Sequence, residues 1–280
     1  GPAETARARG LDVLTAPFGR DTAQRVVDEH GQATLIVAMN VAAHVADLDD
    51  FFGGIKLLLR RSGRAVVEVQ HLLDLLLGNQ IDHVYHEHRF FFSATSFSLA
   101  AARHDLAVRA VERIPAQGGS LRLTLGHGIG YGNQGAADVD RMCREEEWLL
   151  DSAAYEGMQG RARALKAKLL HLIETERAAG RRVAGYAASA KSTTLLNFCG
   201  IGPKHLDYVV DLTPGKWGRF TPGTGIPIIS TLDEEMDRGG RADTYVLLAW
   251  NYLGGVVRRE REWLAGGGRL IVPIPQPVIL

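Results

Sequence analysis

Apolar residues recur along this chain with two different periods. Runs at 11–15, 33–39 and 65–69 are short, β-branched or apolar, and bounded by polar or glycine-bearing turns. That pattern predicts strands. Between them, 21–29 and 48–59 space their apolar residues three and four apart, as one face of a helix requires. Such alternation predicts a mostly parallel sheet with helices on both faces. Runs at 106–114 and 121–126, joined by a link carrying Gly118-Gly119, predict an antiparallel pair at the sheet edge. From 134 to 180 the strand pattern stops. There, 138–150 and 160–179 are rich in Ala, Leu, Glu, Lys and Arg and read as two long helices. Strands return at 182–187, 206–211, 244–249 and 269–273, with helices expected at 190–198, 232–238 and 255–265. The expected organisation is a first α/β domain over 1–136, a helical neck over 137–180 and a second α/β domain over 181–280.

Composition narrows the function classes. The 32 Lys and Arg residues balance 32 Asp and Glu, without a long single-sign block. This argues against an electrostatic footprint for nucleic acid or membrane. No apolar stretch reaches the roughly 18–20 residues that span a bilayer. The N-terminus also lacks a basic segment followed by an apolar core. A cytoplasmic protein is expected. Cys143 and Cys199 are the only cysteines, too few for a disulfide scaffold or a structural zinc site.

The densest chemistry lies in His83-Val-Tyr-His-Glu-His-Arg-Phe-Phe-Phe-Ser93, with three histidines, a tyrosine and a carboxylate in six positions. So many proton-carrying groups suit abstraction of a hydrogen beside a ketone, which needs a base near the C–H and a donor near the oxygen. His88 is the expected base, because an imidazole titrating near 6.5 is largely unprotonated at neutral pH. Tyr85, three residues earlier, shares its side in a helical turn and donates to the enolate oxygen or orients the base. Glu87 fixes a histidine tautomer or contacts a substrate hydroxyl. His83 is expected to face solvent. A metal bound by His83, His86 and His88 is not expected, since no carboxylate or cysteine ligand pattern accompanies them.

These residues resemble the S-adenosylmethionine-dependent C-methyltransferases that act on nucleotide-linked 4-keto-deoxysugars. The resemblance runs from about residue 4 to the C-terminus. Its landmarks include Ala38-Met-Asn-Val-Ala-Ala-His44, Tyr85-His-Glu-His88, Gly118-Gly-Ser-Leu-Arg122 and Gly185-Tyr-Ala-Ala-Ser-Ala-Lys191. Thr194-Leu-Leu-Asn197, Gly218-Arg-Phe-Thr-Pro-Gly-Thr224, Ala249-Trp-Asn251 and Ile271-Val-Pro-Ile-Pro275 follow in the family's order. The resemblance implies a partial class I methyltransferase sheet, a helical neck and a second, Rossmann-like α/β domain that binds the nucleotide-linked sugar. It implies active-site roles for Tyr85, Glu87 and His88. Asn40 and His44 are expected to line the cofactor, with Phe18 against its adenine. His86, Gly118, Gly119, Ser120, Arg122, Lys191, Asn197, Arg219, Thr224 and Asn251 are the expected substrate contacts. Lys191 and the peptide N–H groups of 185–191 are expected to hold a diphosphate at a helix N-terminus.

Family members begin with a zinc domain followed by a glycine-rich cofactor loop; neither pattern occurs in this sequence, and no acidic strand end for a ribose is visible. A fragment with weak or absent cofactor binding is therefore expected. Gln117 replaces a histidine, Ala187 a glycine, Leu212 an arginine and Gly225 a histidine relative to the family's usual wording. Those changes leave room for a non-catalytic nucleotide-sugar-binding protein or partner subunit. A nicotinamide oxidoreductase is disfavoured, because neither sheet opens with G-x-G-x-x-G.

Overall fold

The computed structural model describes residues 1–128, 136–230, 235, 237 and 239–280. Its helices are α1 (Pro2–Ala8), α2 (Arg20–His30), α3 (Leu48–Leu58), α4 (Leu72–Leu77), α5 (Ala94–Ala102), α6 (Ala136–Glu145), α7 (Met158–Ala178), α8 (Ala190–Cys199), α9 (Leu253–Arg259) and α10 (Arg261–Ala265). Its strands are β1 (Ala33–Met39), β2 (Leu59–Gln70), β3 (Leu106–Ile114), β4 (Ser120–His127), β5 (Val183–Tyr186), β6 (Val209–Val210), β7 (Ile228–Ile229), β8 (Thr244–Leu247), β9 (Arg269–Val272) and β10 (Val278–Ile279). The chain forms two compact units that interleave in sequence. One comprises Gly1–His71, Arg89–Ile114 and Ser120–Glu147; the other comprises Leu72–His88, Pro115–Gly119 and Trp148–Leu280.

The first unit holds a four-stranded sheet in the order β1-β2-β4-β3. β1 and β2 are parallel, while β4 runs antiparallel to both β2 and β3. The expected antiparallel edge pair is present, but the mostly parallel sheet is not. The five residues between β3 and β4 are too few for a parallel crossover. The strand expected at 11–15 is absent: Arg7 binds the Val13 carbonyl and Thr15 hydroxyl there, and Leu11 and Leu14 stay exposed. A strand needs a ladder partner, and periodicity alone cannot supply one. The core forms where α3 and α5 press Phe51, Phe52 and Phe97 edge-to-face against one another over Val67, Leu121 and Leu123. Asp47 starts α3 by accepting from the Asp49 and Asp50 amides.

The second unit holds a six-stranded sheet in the order β10-β9-β8-β5-β6-β7, parallel apart from β10. β5 and β8 are buried at every position, as a sheet covered on both faces requires. On one face Leu165, Leu169 and Ile173 of α7 pack with Leu195 and Leu196 of α8. Tyr208, Tyr245 and Val256 occupy another core cluster. Ile81, from the far earlier segment Leu72–His88, belongs to the α7–α8 cluster. The expected helix at 255–265 is split into α9 and α10 at Glu260, and the helix expected at 232–238 falls largely outside the described residues. β7 and β10 were not anticipated, since two residues carry no period. Among the described residues no helix is long and apolar enough to cross a membrane.

Candidate active site

Strand order in the second unit reverses at β5, whose neighbours are β6 and β8. Open α/β sheets take ligands in the crevice outside the carboxyl ends of the strands at such a point. Leaving β5, the chain turns through Ala187, a non-glycine residue at φ 74°, and enters α8 with Lys191 on its first turn. Leaving β8, it supplies Trp250 and Asn251. The Lys191 ammonium donates to Asn251 Oδ1 at 2.9 Å and to Gln117 Oε1 at 3.2 Å. Gln117 arrives on a tight turn in which it, Gly118 and Gly119 have φ of 55°, 92° and 130°. A Cβ on Gly118 would strike the Trp250 ring, and one on Gly119 would strike Asp74. Both glycines are thus required by close approach as well as by backbone sign. Gln80 Nε2 secures the turn by donating to the Gly118 carbonyl at 2.7 Å.

The segment Leu72–His88 brings the proton-carrying groups to this same unit. Ile81–His83 forms one 3₁₀ turn, anchored by Ile81 in the core. The next turn closes with the His88 amide donating to the Tyr85 carbonyl at 3.0 Å. It is a turn rather than helix, yet it still sets the Tyr85 hydroxyl 2.9 Å from His88 Nε2. His88 Nδ1 lies 2.7 Å from the His83 carbonyl oxygen. A carbonyl only accepts, so Nδ1 carries a proton, and in the neutral imidazole Nε2 presents the lone pair. Tyr85 then donates to Nε2. Burial, followed by the charges of Glu87 and Asp82, raises the Tyr85 pKa, which keeps the phenol protonated. In that state the pair is an imidazole base capped by a protonated phenol.

His83 does not face solvent. It is 2% exposed, with its ring 6.2 Å from Trp250 and 6.0 Å from His88. The 3₁₀ turn that buries Ile81 also turns this side chain inward, an effect invisible to polarity patterns. Burial, aided by the charges of Lys191 and His88, pushes its pKa down to about 3. Asp82 is fully buried and accepts from Trp250 Nε1 at 2.7 Å. Burial pushes its carboxyl up to about 6, against the Trp250 bond and the Lys191 charge. Burial in turn lowers Lys191, with Asp82 opposing.

Other expected contacts are distributed differently. Glu87 and His86 belong to the same turn but are exposed. Asn197 binds the Thr193 and Pro222 carbonyls, and Thr224 binds Thr221, so both brace the loop that carries exposed Arg219. The expected amide cradle at α8 is not open. Ser189 caps the Ser192 amide, and Ala188 donates to Asp211 at 2.7 Å, which sets a carboxylate where an anion would sit. In the first unit, Ser120 is wholly buried in β4. Arg122 lies between Glu68 at 3.3 Å and Glu112 at 3.6 Å, its cross-strand neighbours. Asp82, Gln117 and Trp250 were not anticipated as site residues; the available signals were the adjacency of Asp82 to the histidine run, of Gln117 to Gly118-Gly119 and of Trp250 to Asn251. Among the described residues no group of three His, Cys, Asp or Glu side chains is disposed to hold a metal ion.

Residues 115–275 match a family described as the C-methyltransferase C-terminal domain, and residues 3–111 match one described as a methyltransferase domain. The chain belongs to the C-methyltransferase family. Among individual proteins it is similar to the C-methyltransferase NovU of Streptomyces niveus, with 33% identity over 286 residues. That match covers 99% of this chain and 66% of the relative, so the chain spans slightly less than two thirds of the relative's length. Among solved structures, the PH0226 protein from Pyrococcus horikoshii OT3 overlaps 44% of this chain and 64% of its own, at 14% identity and a TM-score of 0.31. That overlap is too slight to bear on the fold.

Methyltransferases of this family use S-adenosylmethionine, and the first unit fits that cofactor in part. Asn40 ends β1 with a left-handed backbone (φ 54°) and an exposed side chain, its amide 3.5 Å from Glu68 Oε1. His44 follows, also exposed. An amide, an imidazole and a carboxylate suit the amino-acid end of the cofactor. Phe18 is partly buried, its ring edge-on against Phe51 at 5.9 Å where it packs on the core.

Proposed function

We propose that this chain carries out C-methylation beside the ketone of a nucleotide-linked 4-keto-deoxysugar, with S-adenosylmethionine as methyl donor. The observation that carries the reading is the Tyr85–His88 pair, 2.9 Å apart with the imidazole tautomer pinned by the His83 carbonyl. His88 Nε2 takes the hydrogen beside the ketone as the Tyr85 hydroxyl turns from Nε2 to the developing enolate oxygen. When bound, the cofactor would supply an electrophilic methyl to the resulting carbanion, the C–C bond forming as the C–S bond breaks and the neutral thioether leaves. Lys191, with Gln117 and Asn251 holding it, faces the anionic linker of the substrate, and exposed Glu87 and His86 serve the sugar's rim. Asn40 and His44 serve the cofactor. In this reading the first unit serves the cofactor, and the second unit, which holds 181–280 together with Leu72–His88 and Pro115–Gly119, serves the nucleotide sugar; the enzyme works in the cytoplasm.

Base and methyl transfer can be tested separately. In D₂O without cofactor, the chain is expected to exchange the hydrogen beside the ketone of thymidine diphosphate 4-keto-6-deoxyglucose, read by NMR. His88→Gln is expected to slow exchange at least about 100-fold, and Tyr85→Phe by about tenfold or more. Adding S-adenosylmethionine in large excess, to offset the weak cofactor binding expected of this chain, is expected to add one methyl, read by mass spectrometry. Exchange that survives His88→Gln would sink the assignment of the base; binding with neither exchange nor transfer would favour a sugar-nucleotide-binding protein.

A further inference from the structure

Beside Trp250, which follows β8, lie polar atoms that the protein itself leaves unsatisfied. His83 is 2% exposed, and neither its Nδ1 nor its Nε2 has a hydrogen-bond partner among the described residues. On the adjoining residue, fully buried Asp82, Oδ2 accepts from Trp250 while Oδ1 has no partner. Native interiors satisfy nearly all buried polar atoms, since each one left unpaired costs its full desolvation penalty. Three such atoms on two consecutive residues are a concentration of unmet hydrogen-bonding capacity that a bound group can complete. Their position gives it context: the His83 ring is stacked 6.0 Å from the His88 ring, and Lys191 lies near enough to influence both Asp82 and His83 electrostatically.

The chemistry of the three atoms selects the ligand group. With its pKa driven to about 3, His83 is a neutral imidazole at any working pH. It offers one N–H donor and one lone pair, and Asp82 Oδ1 offers a second acceptor. Neighbouring hydroxyls match that set, because each gives and takes a hydrogen bond. A bare methylene matches none of it. The nearby Lys191 charge disfavours an ammonium in the same place.

We propose that His83 is a specificity-determining residue that reads ring hydroxyls of the bound sugar, its N–H donating to one oxygen and its lone pair, with Asp82 Oδ1, accepting O–H groups. The proposal rests on the reading of this place as a sugar-nucleotide site. It adds a selection between hydroxylated and deoxygenated sugars that acts through binding and involves no methyl transfer.

Isothermal titration calorimetry without cofactor tests it, using thymidine diphosphate glucose, its 2-deoxy and 3-deoxy congeners, and thymidine diphosphate alone. The parent chain is expected to bind the fully hydroxylated nucleotide sugar at least about tenfold tighter than one of the deoxy congeners, because a site built to pair a hydroxyl is left unpaired without it. His83→Phe is expected to bind parent sugar and congener within about twofold. His83→Gln, which keeps a donor and an acceptor, is expected to restore much of the gap. Thermal melts of both variants show that the comparison is made on folded protein, and should His83→Phe fail to fold, a His83→Gln variant with the gap intact against a His83→Leu variant without it decides the matter. The proposal is overturned by an unchanged gap in His83→Phe, by no gap in the parent, or by sugar nucleotides that bind no better than thymidine diphosphate. A full hydroxyl gap without methyl transfer would sink the catalytic reading and leave this one standing; methyl transfer without a gap would do the reverse.

Discussion

At Asp82 the physics of a single residue separates a functional site from a stabilising one. A fully buried carboxyl with one accepted hydrogen bond has its pKa raised from 3.8 to about 6, mainly by burial. The folded state therefore holds the proton more tightly than the unfolded chain. Stability from this group is fully present below the unfolded value and is lost as pH rises through about 6, on the order of 3 kcal/mol in all. Asp82→Asn keeps the acceptor for Trp250 and removes the titration. The stability of this variant relative to the parent, from urea melts, is expected to rise by about 2–3 kcal/mol between pH 4 and pH 8. A difference that stays flat with pH would show that Asp82 titrates normally. At this scale the sequence was partly legible: the crowding of Tyr85 and His88 in one short motif announced proton chemistry. The depth of His83 and Asp82 was not legible, because it comes from Ile81 entering a core built mostly some eighty or more residues later in the chain.

Elements in the first unit are joined by a buried carboxylate of the opposite kind. Glu146, just past α6, is 1% exposed and accepts from His71 Nε2 at 2.8 Å and from the Ala94 and Thr95 amides at 2.8 and 3.0 Å. It thus caps α5 from another element and ties the end of β2 to both. Burial alone would raise its pKa, but the His71 bond and the two amides together lower it. The sign is reversed from Asp82: the contribution is present above the unfolded value of 4.5 and is lost as pH falls through the lowered folded value. Glu146→Gln turns one accepting oxygen into a donor facing donors, and is expected to cost roughly 2–4 kcal/mol at pH 7. Thermal melts should show the gap to the parent narrowing below pH 4; a gap that widens in acid would refute the assignment. None of this was visible in the sequence, where Glu146 reads as one acid in Glu145-Glu-Glu147. Strands β1 and β3, by contrast, were legible to the residue, since runs of seven and nine residues bounded by polar or proline-bearing turns leave little freedom in their ends.

On the scale of the whole molecule, interleaving of the two units makes the site a property of distant chain segments. Asp82, His83, Tyr85 and His88 come from Leu72–His88, Gln117 comes from Pro115–Gly119, and Lys191, Trp250 and Asn251 come from Trp148–Leu280. A linear reading that cuts the chain within its long helices keeps the six strands of the second sheet together but leaves five of these eight residues behind. The segment Leu72–His88 also contributes Ile81 to the core around α7 and α8, and Asp82 to the indole of Trp250. Residues 148–280 expressed alone therefore lose a buried isoleucine, worth roughly 2–5 kcal/mol in a core, as well as the Trp250 hydrogen bond. For a piece of this size that corresponds to a melting temperature lower by roughly 10 °C or more than the same unit shows in the whole chain. Scanning calorimetry of 148–280 against the full chain checks it, with a peptide of residues 72–88 added in excess. Partial recovery of melting temperature with that peptide, and none with an Ile81→Asp version, is expected, because a ligand that binds the folded state raises its stability by mass action. A piece that melts as high as the full chain would mean that the second unit is self-sufficient and that the segment bearing Tyr85 and His88 only rests upon it.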